Sequence, residues 1–278
     1  MHLDPFHRES TDSNKFVDKA EALLDKALGP LKPFLPAIAR FLLVVTFLED
    51  AIRIITQWSD QTYYLTRFNH YLALMFLATN VSVMLVGSVL AICKKFTEIA
   101  VGGLFAIIIS QSIGYGLIFD SNFFFRNLSV TGGLLMLVAD AMASKRKPIF
   151  AGLPSLNQVD KNAYLQLFGR ILLVFLFLTF IMTGEFSILR LVISIIALIG
   201  CIMVVVGYKA KVTAWLLVAF LCISNVVLNN WWSLHHNHPR KDFLKYDFFQ
   251  TLSIVGGFLL LANQGAGGYS MDEKKKNF

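Results

Sequence analysis

Eight apolar stretches constrain this chain more than any other feature of its sequence. A helix of about 20 apolar residues crosses the roughly 30 Å hydrocarbon core of a bilayer. Hydrophobic residues make up 56% of the 278 residues and charged residues only 15%, which excludes an ordinary soluble domain. The sequence therefore predicts an all-α polytopic membrane protein with about eight transmembrane helices. The predicted spans are 34–56, 69–92, 97–118, 123–143, 164–183, 188–207, 212–232 and 248–264.

Two internal echoes indicate that the eight helices form two tandem four-helix repeats. The segment GRILLVFLFLTFIM at 169–182 echoes ARFLLVVTFLEDAI at 39–52, but lacks the acidic pair of the first copy. The segment FFRNLSVTGGLL at 124–135 returns as FFQTLSIVGGFL at 248–259. Weak internal symmetry of this kind is frequent in membrane proteins, and the glycine pairs let helices approach closely.

The distribution of lysine and arginine predicts the orientation. Eight spans place both termini on one side of the membrane, and the loops on that side are the basic ones. By the positive-inside rule both termini are cytosolic, and the loops at 57–68 and 233–247 face the lumen or exterior. The predicted units are a cytosolic N-terminal segment 1–33, a first four-helix repeat 34–143, a basic cytosolic linker 144–163, a second repeat 164–264 and a cytosolic tail 265–278.

The N-terminal segment contains a predicted amphipathic helix from Ser13 to Leu28. Its apolar residues recur at helical spacing opposite three lysines. A basic amphipathic helix can lie on the lipids of an anionic cytosolic leaflet. Packing against the helical bundle is the alternative, and both interpretations stay open.

The first span carries four formal charges, Arg40, Glu49, Asp50 and Arg53. Each charge costs roughly 2.5–3.5 kcal/mol near the bilayer centre, so these groups must meet partners, water or an interface. The spacing of three and four residues lets Arg53 meet both acids on one helical face. Arg40 lies near the other end, where its stem can snorkel to the headgroups. A binding site is one hypothesis for the acidic cluster; the other is a structural ion cluster that fixes the first helix against the fourth or fifth span.

The two lumenal loops are rich in aromatic and polar residues, including Tyr63, Tyr64 and Tyr246. They fit an aromatic belt at the membrane interface, and the alternative is a peptide-binding rim. The histidine run around His236 lacks the acids or thiols of a recognised metal site, so a solvated loop is expected, with pH sensing as an alternative.

Motifs of enzymes are absent from the sequence. It contains no Gly-rich phosphate loop, no activated serine or cysteine arrangement and no histidine pair within the spans for haem. We therefore predict no enzymatic activity, no cofactor and no resident metal. The net charge of +7 requires no nucleic acid partner, because the basic residues lie mostly in alternate loops.

The C-terminus ends in KKKNF, which places Lys275 and Lys276 at the fourth and third positions from the end. Such a dilysine tail resembles the retrieval signal that the COPI coat reads on endoplasmic reticulum membrane proteins. Two ammonium groups on a flexible tail suit recognition by acidic pockets of a coat.

Longer strings resemble one known family. ARFLLVVTFLEDAIRI at 39–54, IFAGLP at 149–154, DFLKYDFFQTLSIVGG at 242–257 and YSMDEKKK at 269–276 are similar to the Surfeit locus protein 4 family. Its fungal members are cargo receptors of COPII vesicles. The resemblance runs from about residue 30 to the end. It implies a multi-pass endoplasmic reticulum protein that loads soluble secretory cargo into COPII vesicles, cycles through the early Golgi and is retrieved by COPI.

A receptor with so little lumenal mass is expected to bind cargo through short loops and an intramembrane pocket. The site hypothesis unites the acidic cluster with the lumenal loops and takes a peptide near the amino terminus of a mature cargo. A small-solute transporter or lipid scramblase is the rival class, although parallel repeats without broken helices argue against it. A quinone-linked oxidoreductase subunit is a second rival that lacks redox ligands. The expected cargo-binding residues are Glu49, Asp50, Arg53, Tyr63, Tyr64, His236, Asp242 and Tyr246.

Overall fold

The computed structural model is helical throughout the part of the chain that it describes. That part comprises residues 26, 29–65, 70–144, 156–177, 188–235, 238, 240–265 and 267–276. Its helices are α1 (Leu35–Thr56), α2 (Trp58–Leu65), α3 (His70–Ile92), α4 (Thr97–Gly114), α5 (Ser121–Ser144), α6 (Leu156–Leu173), α7 (Ile188–Val206), α8 (Ala210–Leu228), α9 (Lys241–Gln264) and α10 (Met271–Lys276). Two short 3-10 turns, Leu117–Phe119 and Trp231–Ser233, follow α4 and α8.

Five of the described helices are long and apolar enough to cross a membrane. They are His70–Ile92, Thr97–Gly114, Ser121–Ser144, Ala210–Ser233 and Lys241–Gln264. The chain is therefore a polytopic helical membrane protein. Helices α1, α6 and α7 overlap the remaining three predicted spans. Eight crossings remain a prediction, because α1 carries four charges and the apolar part of α7 is short.

The first and last long helices form the most extensive contact of the bundle, α1 against α9. The hydroxyl of Ser253 donates a hydrogen bond to the carbonyl oxygen of Leu43, 2.7 Å away. A Cβ added to Gly256 would lie 2.5 Å from the Leu43 nitrogen and 2.6 Å from the Ala39 oxygen. Because no Cβ fits at that distance, glycine is what brings the two backbones into contact.

Helices α5 and α6 meet in the same way. The hydroxyl of Ser129 is within hydrogen-bond distance of the carbonyl oxygens of Leu172 and Leu173, at 3.1 and 3.3 Å. A Cβ on Gly132 would lie 2.8 Å from the Gly169 oxygen. Ser129 and Gly132 thus contact α6 in the same way that Ser253 and Gly256, at the corresponding positions of the second sequence repeat, contact α1. Helices α5 and α9, one from each pair, also contact each other. A Cβ added to Gly257 on α9 would lie 3.0 Å from the Cα of Gly133 on α5.

The boundary predicted for the last span was wrong. Helix α9 begins at Lys241 rather than at 248, so Asp242 and Tyr246 lie on a helix and not in the 233–247 loop. The hydropathy pattern does not assign residues 241–247 to the last span, because these residues include charged side chains. Those side chains are paired within the bundle: Lys245 with Glu49 and Asp247 with a basic residue of α5. The predicted 57–68 loop likewise contains helix α2.

The segment after α9 packs against the opposite end of the bundle. The Asp272 carboxylate accepts hydrogen bonds from the backbone nitrogens of Lys209 and Ala210, at 2.7 and 2.9 Å, at the start of α8. A guanidinium nitrogen of Arg170 donates to the Tyr269 carbonyl oxygen at 2.7 Å. The tail, expected to be flexible, is thus held at Tyr269 and Asp272 and is helical from Met271 to Lys276.

Several predictions lie outside the described residues. The amphipathic helix from Ser13 to Leu28 is one of them, apart from Lys26. Residues 178–187 are another, so the end of the predicted fifth span is not described; helix α6, which overlaps this span, begins at Leu156, within the predicted linker. The backbone of Lys275 and Lys276 belongs to α10, but their side chains are outside the described part.

Candidate functional site

The four charges of α1 form two separate clusters at its two ends. Near its C-terminal end, Glu49 and Asp50 are each only 5% exposed. Arg53 forms an ion pair with Asp50 and lies 4.0 Å from a Glu49 oxygen. The spacing in the sequence therefore places these three side chains together, as expected from one helical face.

Two partners from other helices complete this cluster. The side-chain amide of Gln111 on α4 donates a hydrogen bond to Asp50. The ammonium of Lys245 on α9 lies 3.2 Å from a Glu49 oxygen. The hypothesis that this cluster fixes the first helix against the fourth or fifth predicted span was wrong, because its partners come from the third span and from the last helix. The sequence did not show that these two residues pair with the acids, although a glutamine inside an apolar span is itself a signal of hydrogen bonding between helices.

A small cavity of about 20 Å³ lies beside Asp50 within the bundle. It has room for about one water molecule. Gln250 of α9 is 1% exposed and donates through its amide nitrogen to Asn127 and to the Tyr246 hydroxyl, at 3.0 and 3.1 Å. The polar residues around the cavity are Thr46, Asp50, Gln111, Asn127, Tyr246 and Gln250.

Tyr246 belongs to this buried site and not to a surface rim. The guanidinium of Arg53 lies 5.8 Å from the centre of its ring, which is a cation–π distance. The ring of Phe123 stacks on that of Tyr246, with the ring centres 6.3 Å apart. Asp242 lies one turn earlier on α9, where it is exposed and accepts a hydrogen bond from Gln57 at 3.4 Å.

The remaining expected site residues do not join the cluster. Tyr63 and Tyr64 lie on α2 and are 86% and 61% exposed. Tyr63 lines a separate groove of about 420 Å³ with Trp58 and His70. Tyr64 contacts the ring of Tyr115 at 6.0 Å instead. His236 lies outside the described residues.

The second charged cluster lies at the opposite end of α1. Arg40 is 7% exposed, and its guanidinium lies 3.7 Å from the Asp140 carboxylate of α5. Lys94, after α3, is 3.5 Å from the same carboxylate. The expectation that Arg40 snorkels to the headgroups was wrong, because a buried partner on a neighbouring helix holds it inside the bundle.

In the described part of the chain, no group of three or more histidine, cysteine, aspartate or glutamate side chains could hold a metal ion. The contacts of the first cluster are ion pairs and a hydrogen bond. We refer to Glu49, Asp50, Arg53, Gln111 and Lys245 as the acidic-end cluster, and to Arg40, Lys94 and Asp140 as the basic-end cluster.

Comparison with known proteins places the whole bundle in one family. The sequence model of the SURF4 family matches residues 14–278, which include every helix described above. The chain belongs to the SURF4 family. A "Surfeit locus protein 4 homolog" of Schizosaccharomyces pombe is 43% identical over 267 residues, which are 94% of this chain and 87% of the relative. No solved structure matches the chain.

Two further relatives extend the family likeness. The "ER-derived vesicles protein ERV29" of Saccharomyces cerevisiae is 42% identical over 268 residues, 94% of this chain and 84% of the relative. A Drosophila melanogaster "Surfeit locus protein 4 homolog" is 39% identical over 268 residues, 95% of this chain and 98% of the relative. The resemblance to the SURF4 family is thereby confirmed. One of these three names refers to vesicles derived from the endoplasmic reticulum, and none of the three is the name of an enzyme.

Proposed function

We propose that this chain is a cargo receptor of the early secretory pathway. It packages soluble secretory proteins into COPII vesicles at the endoplasmic reticulum, cycles through the early Golgi and returns by COPI through Lys275 and Lys276. The observation that carries the proposal is SURF4 family membership over residues 14–278, with a relative named for vesicles derived from the endoplasmic reticulum at 42% identity.

The proposed architecture has eight membrane crossings in two tandem four-helix repeats, with both termini in the cytosol. The matching contacts of Ser129 and Ser253 with carbonyl oxygens of the partner helices support the repeats. In this orientation the acidic-end cluster faces the lumen, where cargo is, and α10 lies on the cytosolic side, where coats assemble. The basic-end cluster then lies near the cytosolic leaflet, in accord with the positive-inside rule.

Cargo recognition is assigned to the acidic-end cluster with Tyr246, and to a rim that includes Tyr63, Tyr64, His236 and Asp242. The connections on the lumenal side are short, so little polypeptide is available there to grip a folded protein. A buried polar site at the same end of the bundle as the exposed tyrosines suits a short extended peptide, whose end enters the bundle while its side chains contact the rim.

Transport of a solute or lipid is the less favoured function. The two charged clusters are separated by the close approach of Gly257 to the backbone of α5, and Leu43, Leu173 and Phe258 are fully buried around it. An apolar core of described residues therefore lies between the two clusters. Lipids are proposed as neighbours of the exposed apolar faces and of the N-terminal segment, and not as transported substrates.

The experiment that tests the function is depletion of the protein followed by quantitative proteomics of secreted and retained soluble proteins. Rescue uses the wild type or the double variant Lys275→Ser and Lys276→Ser. We expect a selective set of cargoes to accumulate in the endoplasmic reticulum, and the double variant to shift toward the Golgi. Uniform export together with an altered lipid or solute distribution would contradict the receptor and favour transport.

A further inference from the structure

The segment from Gly267 to Lys276, which we call the docked tail, is held against the bundle by contacts with other helices. The Asp272 backbone nitrogen donates a hydrogen bond to the Gly207 carbonyl oxygen, 3.1 Å away. The ring centre of Tyr269 lies 4.9 Å from that of Tyr164 on α6. A helix of six residues such as α10 has little stability of its own, since isolated helices shorter than about 12 residues are marginal in water. These contacts therefore order the tail.

Helix α8 takes the cap of its N-terminus from the docked tail. Its own N-cap residue, Lys209, makes no capping hydrogen bond with its side chain. An ammonium also has the wrong charge for the positive end of the helix dipole, whereas a carboxylate is a good cap. Asp272 accepts the hydrogen bonds of the Lys209 and Ala210 nitrogens, at 2.7 and 2.9 Å. The tail thus completes a helix end that its own residues leave uncapped.

A buried arginine of α6 provides the third attachment. Arg170 is fully buried, and its guanidinium donates to the carbonyl oxygens of Tyr269 and Gln166, at 2.7 and 3.4 Å. Its second terminal nitrogen has no hydrogen-bond partner among the described residues. Arg40, its counterpart in the sequence echo, lies beside the Asp140 carboxylate instead. Because Arg170 is incompletely paired, its hydration on release of the tail offsets part of the contacts that are lost.

The docked tail limits how far the terminal lysines reach from the bundle. With Asp272 fixed at α8, Lys275 and Lys276 extend at most about 10–14 Å from this anchor, even if α10 unwinds. With the tail released, the chain is free from Gly265 at the end of α9, and the same lysines reach about 33–40 Å. A coat binds a short terminal peptide in pockets on its own surface, so the peptide has to leave the surface of the bundle.

We propose that the docked tail is a latch that withholds the terminal lysines from the COPI coat, and that the coat binds the released tail. The inference rests on the proposed retrieval function and specifies its regulation. Release breaks the contacts of Tyr269 and Asp272 and opens the guanidinium of Arg170 to water. The equilibrium between the docked and the released tail sets the apparent affinity of the coat, because only the released fraction binds.

The test measures binding of purified COPI coat complex to the full-length protein in lipid nanodiscs. Asp272→Ala removes the cap of α8, and Tyr164→Ala removes a ring contact from α6 while the tail sequence stays unchanged. We expect Asp272→Ala to raise the affinity of the coat about two- to thirtyfold, the equilibrium factor of one lost cap. Tyr164→Ala is expected to raise it about two- to twelvefold, the factor of one lost aromatic pair.

Two matched controls leave the latch contacts in place. Met271→Ala removes an exposed side chain of the tail, and Phe168→Ala removes an exposed ring of α6. Neither is expected to change the affinity of the coat. The double variant Lys275→Ser and Lys276→Ser shows whether the coat reads these lysines. All variants are compared as protein that elutes as a single species, so that misfolded receptor does not contribute.

The results separate the latch from the retrieval signal on which it rests. Equal coat binding by the wild type and the double lysine variant overturns the retrieval signal, and the latch with it. If the double variant loses binding, but Asp272→Ala and Tyr164→Ala bind no better than the wild type, the latch is overturned and the retrieval signal stands. An increase confined to Asp272→Ala also overturns the latch, because the altered tail sequence and not its release then explains the result.

Discussion

The Ser253 hydroxyl donates a hydrogen bond to the Leu43 carbonyl oxygen, 2.7 Å away on a helix that begins more than two hundred residues earlier. This bond joins the last long helix to the first at backbone contact. The same serine also lies 3.2 Å from the Leu42 oxygen, so the hydroxyl lies over the carbonyl groups of two consecutive residues of α1. The closeness of α1 and α9 positions Lys245 beside Glu49 and thereby builds the acidic-end cluster.

The close contact between α1 and α9 predicts that Gly256→Ala destabilises the bundle. Its added Cβ would lie 2.5 Å from the Leu43 nitrogen, and overpacking of this kind costs about 1–3 kcal/mol. The matched control is Gly102→Ala, where nothing lies within 4 Å and the free energy of unfolding should stay the same or rise by up to about 1 kcal/mol. Thermal unfolding in detergent measures both. Equal melting temperatures for the two variants would contradict the packing.

Ser129 and Ser253 occupy corresponding positions in the two halves of the chain, and their substitution is expected to lower stability equally. Ser129→Ala and Ser253→Ala each remove a hydroxyl that bonds to a carbonyl oxygen of the facing helix. Each is expected to lower the free energy of unfolding by about 1 kcal/mol. Ser82→Ala is the control, because its exposed hydroxyl bonds only within its own helix. A loss confined to one of the two paired serines would show that the halves are not equivalent in packing.

The basic-end cluster predicts a structural and not a functional phenotype. Asp140→Asn leaves the buried Arg40 without its carboxylate partner, and breaking a buried pair in this way costs about 3–5 kcal/mol. We expect a lower melting temperature in detergent. Cargo export per molecule of folded receptor should be unchanged, because Asp140 lies at the opposite end of α1 from Glu49. Selective loss of export at unchanged stability would reverse this assignment.

The anchored tail predicts that Asp272→Ala frees the C-terminal helix. Its carboxylate caps the start of α8, and loss of a cap costs about 0.5–2 kcal/mol. Trypsin cleavage after the terminal lysines should then accelerate several-fold at a fixed protease concentration. The neighbouring variant Met271→Ala changes an exposed side chain and should leave the rate unchanged. If both rates equal that of the wild type, the tail is not held by Asp272.

The sequence predicted the helical membrane class, and it placed Glu49, Asp50 and Arg53 together, because hydropathy and helical spacing are local properties. It could not predict Gln111 and Lys245 as partners, since their approach depends on which helices pack together. The start of α9 at Lys241 was also not predicted. A hydropathy pattern treats Lys245 as facing water, whereas the fold pairs it with a buried acid.

The environment of Arg40, at the other end of the bundle, could not be predicted from the sequence either. A single arginine near a span terminus is normally satisfied by headgroups, and nothing local distinguishes that state from a buried ion pair. The partner, Asp140, lies one hundred residues later on α5. The rim residues were grouped in the sequence by their shared loops, but Tyr63 lines a different groove from the one beside Tyr246.

The most direct test of the cargo site compares Glu49→Gln with Asp247→Asn as rescue variants in cells depleted of the protein. Both remove one negative charge near the same end of the bundle, but only Glu49 belongs to the acidic-end cluster. The measurement is the intracellular fraction of each retained cargo at matched receptor levels. We expect Asp247→Asn to restore export and Glu49→Gln to leave it impaired. Full restoration of export by Glu49→Gln would contradict the cargo site.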